Sequence, residues 1–152
     1  MTKTATPQAD AYVPGVCNIN RAEIAYRQKT GYVITVIYVV MLIVLISLHL
    51  SVFTQLILFI PGMLLADCFL QAKNKFCVAY GAAGQQNANE GSSKAVKVTD
   101  NAAAAADKKR ARAINLQAAG YGLALTLFAL ATPVIAGLGF ILVLLVLLAV
   151  PA

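Results

Sequence analysis

Charged residues are scarce in this chain. They make up 12% of its 152 residues, whereas hydrophobic residues make up 60% and the mean hydropathy is +0.76. A soluble domain carries about 25% charged residues. Tryptophan is absent and there is a single histidine. This composition excludes an ordinary soluble globular domain and indicates a single domain embedded in lipid.

The sequence also lacks the patterns that carry enzymatic chemistry. It contains no HExxH motif, no paired carboxylates, no nucleophile with an accompanying base and no phosphate-binding loop, because the glycines of segment 81–84 are too closely spaced for one. We therefore expect no enzyme, no catalytic residue, no cofactor and no bound metal ion. Residues 1–31 have no apolar core, so we expect no cleavable signal peptide and an internal anchor instead.

Two long stretches, residues 32–66 and 113–152, carry no charged side chain. As a single helix each would exceed about 50 Å, whereas the hydrocarbon core of a bilayer is about 30 Å thick. Each stretch therefore predicts two short helices joined by a turn. The polar residues near position 49 and the Thr-Pro pair at 132–133 mark the turns, and Pro61 predicts a kink. The predicted helices span residues 32–48, 51–69, 113–132 and 136–149.

The predicted fold is all-α and integral to the membrane, with four short transmembrane helices forming two helical hairpins. The last helix would be only about 21 Å long, so a hairpin that re-enters the membrane without crossing is the alternative. Turns in mid-membrane would leave backbone groups unpaired, which favours crossing.

The basic residues all lie outside the two apolar stretches. Four crossings would place the N-terminal tail, the central segment and the C-terminus on one side, and the positive-inside rule assigns that side to the cytoplasm. We expect a multi-pass protein of the cell (inner) membrane with both termini cytoplasmic and basic juxtamembrane helices on that side. The twelve lysines and arginines are Lys3, Arg21, Arg27, Lys29, Lys73, Lys75, Lys94, Lys97, Lys108, Lys109, Arg110 and Arg112.

Five segments follow from this arrangement. Residues 1–19 form a flexible tail, 20–31 a basic interfacial helix, 32–69 the first transmembrane hairpin, 70–112 a cytoplasmic basic segment and 113–152 the second hairpin. Asn20 and Glu23 have the spacing of a capping box for the interfacial helix. The Gly-, Ala-, Asn- and Ser-rich stretch 81–97 predicts a flexible linker, and Asp100 can cap the helix that follows.

Anionic lipid headgroups are the partner that the basic residues indicate, because these residues flank apolar runs. Nucleic acid is not expected as a partner, whereas other membrane subunits or further copies of the chain are. The predicted headgroup contacts are Arg21, Arg27, Lys29, Lys73, Lys75, Lys108, Lys109, Arg110 and Arg112.

The three cysteines, Cys17, Cys68 and Cys77, are all expected on the cytoplasmic side. A reducing compartment argues against structural disulfides, and their spacing matches no zinc motif. A thiol site is one interpretation, since Lys73 and Lys75 would favour the thiolate form. Packing as small buried side chains is the other.

Small residues on the two final helices indicate close helix packing. The candidates are Gly120, Gly122 and Ala124 on the third helix, and Gly137 and Gly139 on the fourth. They can serve contacts between chains or the packing of the two hairpins within one chain.

Residues 17–81 resemble a small bacterial two-helix inner-membrane domain that is sometimes attached to rhodanese sulfurtransferases. The resemblance rests on the Cys17-Asn18-Ile19-Asn20 segment, the Arg27 to Gly31 segment, Leu70-Gln71 and Phe76-Cys77. It implies an oligomerising hairpin near sulfur chemistry. Val78 stands where that family has a proline, and no rhodanese domain is present.

The sequence thus predicts a non-enzymatic membrane protein that acts as an accessory subunit or a homo-oligomeric scaffold of a membrane assembly. A thiol- or sulfur-handling membrane carrier that uses the cysteines is the first alternative. A holin-like pore former is the second, because the hairpins are short and uncharged.

Overall fold

The computed structural model describes residues 12–48 and 50–131, and three long helices dominate this part of the chain. In chain order the elements are α1 (Arg21–Ser47), α2 (Val52–Gln55), a 3-10 turn (Leu56–Leu58), α3 (Phe59–Lys73), α4 (Val78–Ala83), β1 (Gln85–Gln86), β2 (Val96–Lys97) and α5 (Asn101–Ala131). Three helical segments are long and apolar enough to cross a membrane: Arg21–Ser47, Val52–Lys73 and Asn101–Ala131.

Helix α1 begins where the sequence predicts a helix cap. The Asn20 side chain accepts a hydrogen bond from the Glu23 N–H at 3.0 Å. The helix then continues without a break through Gly31 to Ser47, so the interfacial helix expected at 20–31 and the membrane helix expected at 32–48 are one element. Gly31 does not end the helix. It permits close packing, because a Cβ there would meet the Phe69 ring at 3.1 Å.

The chain then returns through a helix that is irregular near Pro61. Ser51 caps α2 by accepting from the Thr54 N–H at 3.4 Å. The kink expected at Pro61 takes the form of the 3-10 turn just before α3, because proline has no N–H to donate to the preceding turn. Helix α3 extends past the predicted end at residue 69 to Lys73. Lys75, with a φ of 52°, turns the chain away.

Helix α5 joins two segments that the sequence analysis separated. Asp100 accepts from the Ala102 N–H at 2.9 Å, which confirms its predicted capping role. The alanine run, the basic run and the apolar segment then form one helix of 31 residues, since alanine and the basic residues all favour helix. The predicted third helix at 113–132 is therefore the second half of α5.

Parts of the prediction fall outside the described residues. These are the tail at 1–11, the turn residue His49, the end of the third helix at 132 and the fourth helix at 136–149 with Gly137 and Gly139. The second hairpin and the fourth span stay predictions.

The apolar core lies between the three long helices. Tyr38, Leu42 and Leu45 of α1 pack against Leu58, Leu65 and Ala129. At the crossing of α3 and α5, a Cβ on Gly122 would lie only 2.8 Å from the Met63 nitrogen. Two helices approach this closely only where one presents a residue without a side chain.

We call the apolar parts of the three long helices, residues 31–47, 52–70 and 113–131, the three-helix anchor. One end of this anchor carries a folded polar region, which we call the polar cap. It comprises residues 12–30 and 71–112, because α1 and α5 begin and α3 ends at the same end of the anchor. All eleven described lysines and arginines lie in it. The opposite end, formed by the turn after Ser47 and by Ala131, carries no charged residue.

Candidate functional site: the polar cap

The N-terminal arm, residues 12–20, is fixed in the polar cap by a buried asparagine. The Asn18 side chain donates to the Cys77 carbonyl at 3.0 Å and accepts from the Cys77 N–H at 2.6 Å. Its backbone donates to the Lys75 carbonyl at 3.1 Å and accepts from the Asn87 N–H at 2.7 Å. Both Asn18 and Cys77 are fully buried. One asparagine therefore joins the arm to the turn after α3 and to the segment after β1.

A buried aspartate holds the other end of the arm. Asp107, on α5, is fully buried. It accepts from the Tyr12 hydroxyl at 2.9 Å and from the Gly15 N–H at 2.6 Å. Burial first, and then the hydrogen bond to Asp107, raise the pKa of Tyr12 to about 12. The arm thus packs on α5, although the sequence analysis placed it in a flexible tail.

The predicted linker is folded as well. The Asn20 side chain donates to the carbonyls of Asn89 and Ser92, both at 3.0 Å. Asn87 and Ala88 are buried, and β1 pairs with β2. Sequence composition indicated a flexible linker because glycine, serine and asparagine dominate it, but these residues make the turns and backbone contacts that pack it beneath the arm.

Glu23 does not complete the capping box that its spacing predicts. Its carboxylate accepts instead from the Tyr80 hydroxyl at 3.2 Å and from the Asn87 side chain at 3.4 Å. Burial, followed by the charge of Glu23, raises the pKa of Tyr80, so the phenol remains a donor to the carboxylate. Glu23 thereby links the first turn of α1 to α4.

A cluster of polar groups lies where α1 and α3 enter the polar cap. Arg27 donates through Nη2 to the Cys77 sulfur at 3.1 Å. Gln71 donates to Asp67 and accepts from the Val78 N–H at 3.2 Å. Within the described chain, the buried Arg27 Nε and Asp67 Oδ1 have no hydrogen-bond partner.

The three predicted thiol residues are all buried and none forms a disulfide. Cys77 faces Arg27. Cys68 packs against Gly31, because a Cβ added to Gly31 would lie 3.3 Å from the Cβ of Cys68. Cys17 lies in the arm and donates to the Ile19 carbonyl at 3.6 Å. No group of three or more potential ligands that could hold a metal ion occurs among the residues described.

The predicted helix-packing residues on α5 divide into two kinds. Gly122 is buried in the crossing with α3 and serves packing within the chain. Gly120 and Ala124 are exposed, and a Cβ at Gly120 would meet no atom of the described residues within 4 Å. Only the second pair leaves a surface open to another molecule.

The predicted headgroup contacts also divide. Arg27 and Arg110 are partly buried: Arg27 contacts Cys77, and Arg110 donates to the Asn74 side chain at 2.6 Å. The remaining predicted contacts are exposed on the cap: Arg21, Lys29, Lys73, Lys75, Lys108, Lys109 and Arg112.

Acidic and basic side chains occupy different parts of the cap. Of the five described acids, Glu23, Asp67 and Asp107 are at least partly buried and accept hydrogen bonds from the protein. The other two, Glu90 and Asp100, respectively pair with Arg21 at 3.8 Å and cap α5. Nine of the eleven cations are exposed. The outer surface of the cap is therefore strongly positive.

Two cavities of about 590 Å³ border the cap. One lies beside Glu23, Arg27 and Tyr80. The other is a groove between α3 and α5, lined at its polar end by Lys73 and Gln117. The second lies at the level where the apolar helices meet the charged cap.

The sequence analysis assigned no structural role to the residues that build the cap interior, namely Asn18, Gln71, Asn87 and Asp107, although Asn18 and Gln71 lie in the segments that carry the family resemblance. All four are buried polar side chains, and the partners of Asn18 and Asp107 lie far along the chain. A weak signal was available for Asp107, which is the one acid in an alanine-rich and basic run. Nothing local distinguishes Asn87 from its asparagine neighbours.

Comparison of the chain with protein-family models, with curated proteins and with solved structures gives no match in any of the three. The resemblance of residues 17–81 to a rhodanese-associated membrane domain stays a prediction.

Proposed function

We propose that this chain is a non-enzymatic, multi-pass protein of the cell membrane that acts as an accessory subunit or homo-oligomeric scaffold. In this proposal the three long helices cross the bilayer and the polar cap lies in the cytoplasm. The cap offers a fixed basic surface to anionic headgroups and to acidic partner subunits.

The observation that carries the proposal is the separation of charge within the cap. Buried acids such as Asp107 hold the arm and the connecting segments in place, while cations such as Lys108, Lys109 and Arg112 face outward. A rigid surface with one sign of charge attracts partners of the other sign. Its position at the end of an apolar anchor would keep that surface at the membrane.

The cytoplasmic orientation follows from the same distribution. All eleven described lysines and arginines lie at one end of the anchor and the other end is uncharged. Positively charged loops are retained on the cytoplasmic side during insertion.

Orientation is tested with two variants that each add one exposed cysteine to the three buried native ones. Ser93→Cys lies on the exposed cap and Leu50→Cys at the opposite end. A membrane-impermeant maleimide added to intact cells should label Leu50→Cys and spare Ser93→Cys, with the reverse in inverted vesicles. The unsubstituted protein reports background labelling. Labelling of Ser93→Cys from outside would refute the cytoplasmic cap.

The scaffold role is tested by native mass spectrometry and co-purification in mild detergent. We expect an oligomer or a defined complex, and loss of acidic partners when Lys108, Lys109 and Arg112 are all changed to Glu. A strictly monomeric protein that co-purifies with nothing would refute this role.

A thiol-handling carrier is the second candidate, and the contact between Arg27 and the Cys77 sulfur favours it. This contact places a positive charge against the sulfur atom that a carrier would use. The burial of Cys77 and Cys68 opposes it, because a carrier thiol must meet its substrate. Replacing both residues by Ser and measuring transport of sulfur species separates the candidates, since the scaffold role predicts unchanged transport.

A further inference from the structure

The groove between α3 and α5 opens at the boundary between the apolar anchor and the polar cap. Lys73, the last residue of α3, lies at its polar end, and the apolar segment of α5 forms its other wall. Its volume of about 590 Å³ lies within the range of about 300–1,000 Å³ that is usual for small-molecule sites. The groove therefore spans the depth at which a lipid headgroup meets its acyl chains.

The polar end of the groove offers hydrogen-bond donors and positive charge. Lys73, Gln117 and Tyr121 line it, and their side chains form no hydrogen bond with the described part of the chain. Asn74 is already committed, because its side chain donates to the Leu70 carbonyl at 2.7 Å and accepts from Arg110 at 2.6 Å. Among the described residues that line the groove there is no carboxylate. A negatively charged acceptor such as a phosphate group complements this set of groups.

The apolar end is a shallow trough along α5. Gly120 and Ala124 lie one turn apart on the same helix face, and no atom of the described residues fills the space beside Gly120. Neighbouring exposed positions of α5 carry large side chains, as at Leu123 and Leu127. A hydrocarbon chain can lie against the backbone at Gly120, where van der Waals contact would be extensive.

We propose that this groove binds one anionic phospholipid of the surrounding bilayer. Its phosphate contacts Lys73, Gln117 and Tyr121, and one acyl chain lies along Gly120 and Ala124. The lysine stem packs along the apolar wall while its ammonium reaches the headgroup level. The site requires that the helices cross a membrane, but it does not depend on the scaffold role.

The test measures retained lipid by native mass spectrometry after purification from vesicles of phosphatidylglycerol and phosphatidylcholine in equal amounts. We expect one phosphatidylglycerol per chain. Lys73→Gln should lower the preference for phosphatidylglycerol about fivefold, the effect of removing one lysine charge near a headgroup. Lys97→Gln, which removes an exposed cation of the cap that lies outside the groove and is not a predicted headgroup contact, is the control and should leave the preference unchanged.

Filling the apolar end tests the acyl-chain contact. Gly120→Leu should abolish retention, and Ala124→Phe gives a second filling variant should the first fail to fold. Val40→Phe enlarges an exposed position on α1 and should retain the lipid. The same spectra report the oligomeric state, so a monomer that retains phosphatidylglycerol would refute the scaffold and not the groove.

Three outcomes overturn the proposal. They are equal retention of both lipids by the unsubstituted protein, an equal loss in Lys97→Gln and Lys73→Gln, and lipid retention by folded filling variants. Dissociation of an oligomer by Gly120→Leu with lipid retained would assign this face to helix packing between chains instead.

Discussion

The three-helix anchor and the polar cap are stabilised by different kinds of contact. In the anchor, side chains such as Leu42, Leu58 and Leu65 pack against one another, and its few polar groups are satisfied nearby, as when Thr126 donates to the Gly122 carbonyl at 2.8 Å. In the cap, buried polar side chains join segments far apart along the chain. Asn18 and Cys77 are 59 positions apart, and Tyr12 and Asp107 are 95.

This difference means that the two regions should respond to mutation in different ways. Apolar packing depends on volume and tolerates exchange of similar side chains. A buried hydrogen bond depends on both partners, because removing one leaves the other desolvated and unpaired. We therefore expect replacement of a single buried polar residue to disrupt the cap. In the anchor, exchange of one apolar side chain for another should be disruptive only where it changes the side-chain volume.

The largest effect should come from Asn18→Ala. The substitution leaves the buried N–H of Cys77 without a partner and leaves its carbonyl with the Gly81 N–H alone, at a cost of about 2–4.5 kcal/mol from one unpaired donor and one lost hydrogen bond. Cys77 should then react rapidly with a maleimide, with the modified residue identified by mass spectrometry. Asn89→Ala is the control, since only the backbone of Asn89 contacts Asn20. Protection of Cys77 in Asn18→Ala would show that the arm is not what closes the cap.

Asp107→Ala should have the next largest effect. It removes acceptors from Tyr12 and Gly15 together, and loss of these charge-assisted bonds should cost about 2–4 kcal/mol. The arm should become sensitive to protease while α1 and α3 stay protected. Asp100→Ala removes an exposed helix cap only and should leave the arm resistant. Equal cleavage of the two variants would contradict the role assigned to Asp107.

Gly122→Ala tests how the stability of the anchor depends on side-chain size, because it adds only a methyl group. The added methyl group would lie 2.8–2.9 Å from backbone atoms of Met63, so α3 and α5 must separate, at a cost of about 1–3 kcal/mol. Gly120→Ala places the same methyl group in open space and should be neutral or stabilising by up to about 1 kcal/mol. Unfolding in mixed detergent micelles compares the two. Equal stability would mean that the helices do not cross at Gly122.

Tyr12→Phe should give the smallest effect and a specific dependence on pH. The pKa of Tyr12 rises from 10.0 to about 12 in the folded protein, so the folded state favours the protonated phenol. Its contribution is complete below pH 10 and is lost as the pH rises towards 12. The stability difference between the native protein and Tyr12→Phe, about 1 kcal/mol at neutral pH, should therefore shrink over that interval. A difference that stays constant from pH 9 to 12 would contradict the bond to Asp107.

The anchor was largely predictable from sequence, because charge-free apolar stretches identify helices long enough to cross a membrane. Asn20 and Asp100 also cap helices as their positions predict. The helix boundaries were less predictable. The sequence predicts a boundary between two helices at Gly31, whereas the lack of a side chain there allows α1 to pack against Phe69. Only the three-dimensional structure distinguishes these two roles.

The folded structure of the cap could largely not be predicted from the sequence. Composition predicted a flexible linker at 81–97, because glycine, asparagine and serine are equally common in flexible segments and in tightly turned ones. Hydrogen bonds such as those of Asn18 depend on which distant segments of the chain are in contact, and a single sequence does not reveal those contacts. The exposed cations were predictable as a group, whereas the burial of Arg27 and Arg110 was not.

The attachment of the N-terminal arm constrains the order in which the protein is made. The arm leaves the ribosome before any of its partners, and Asp107 follows Tyr12 by 95 residues. The arm can therefore form this contact only after α1, α3 and the start of α5 have been synthesised. Closure of the cap is consequently a late step in biogenesis, and a nascent chain halted before residue 107 would keep its first segment open to proteases.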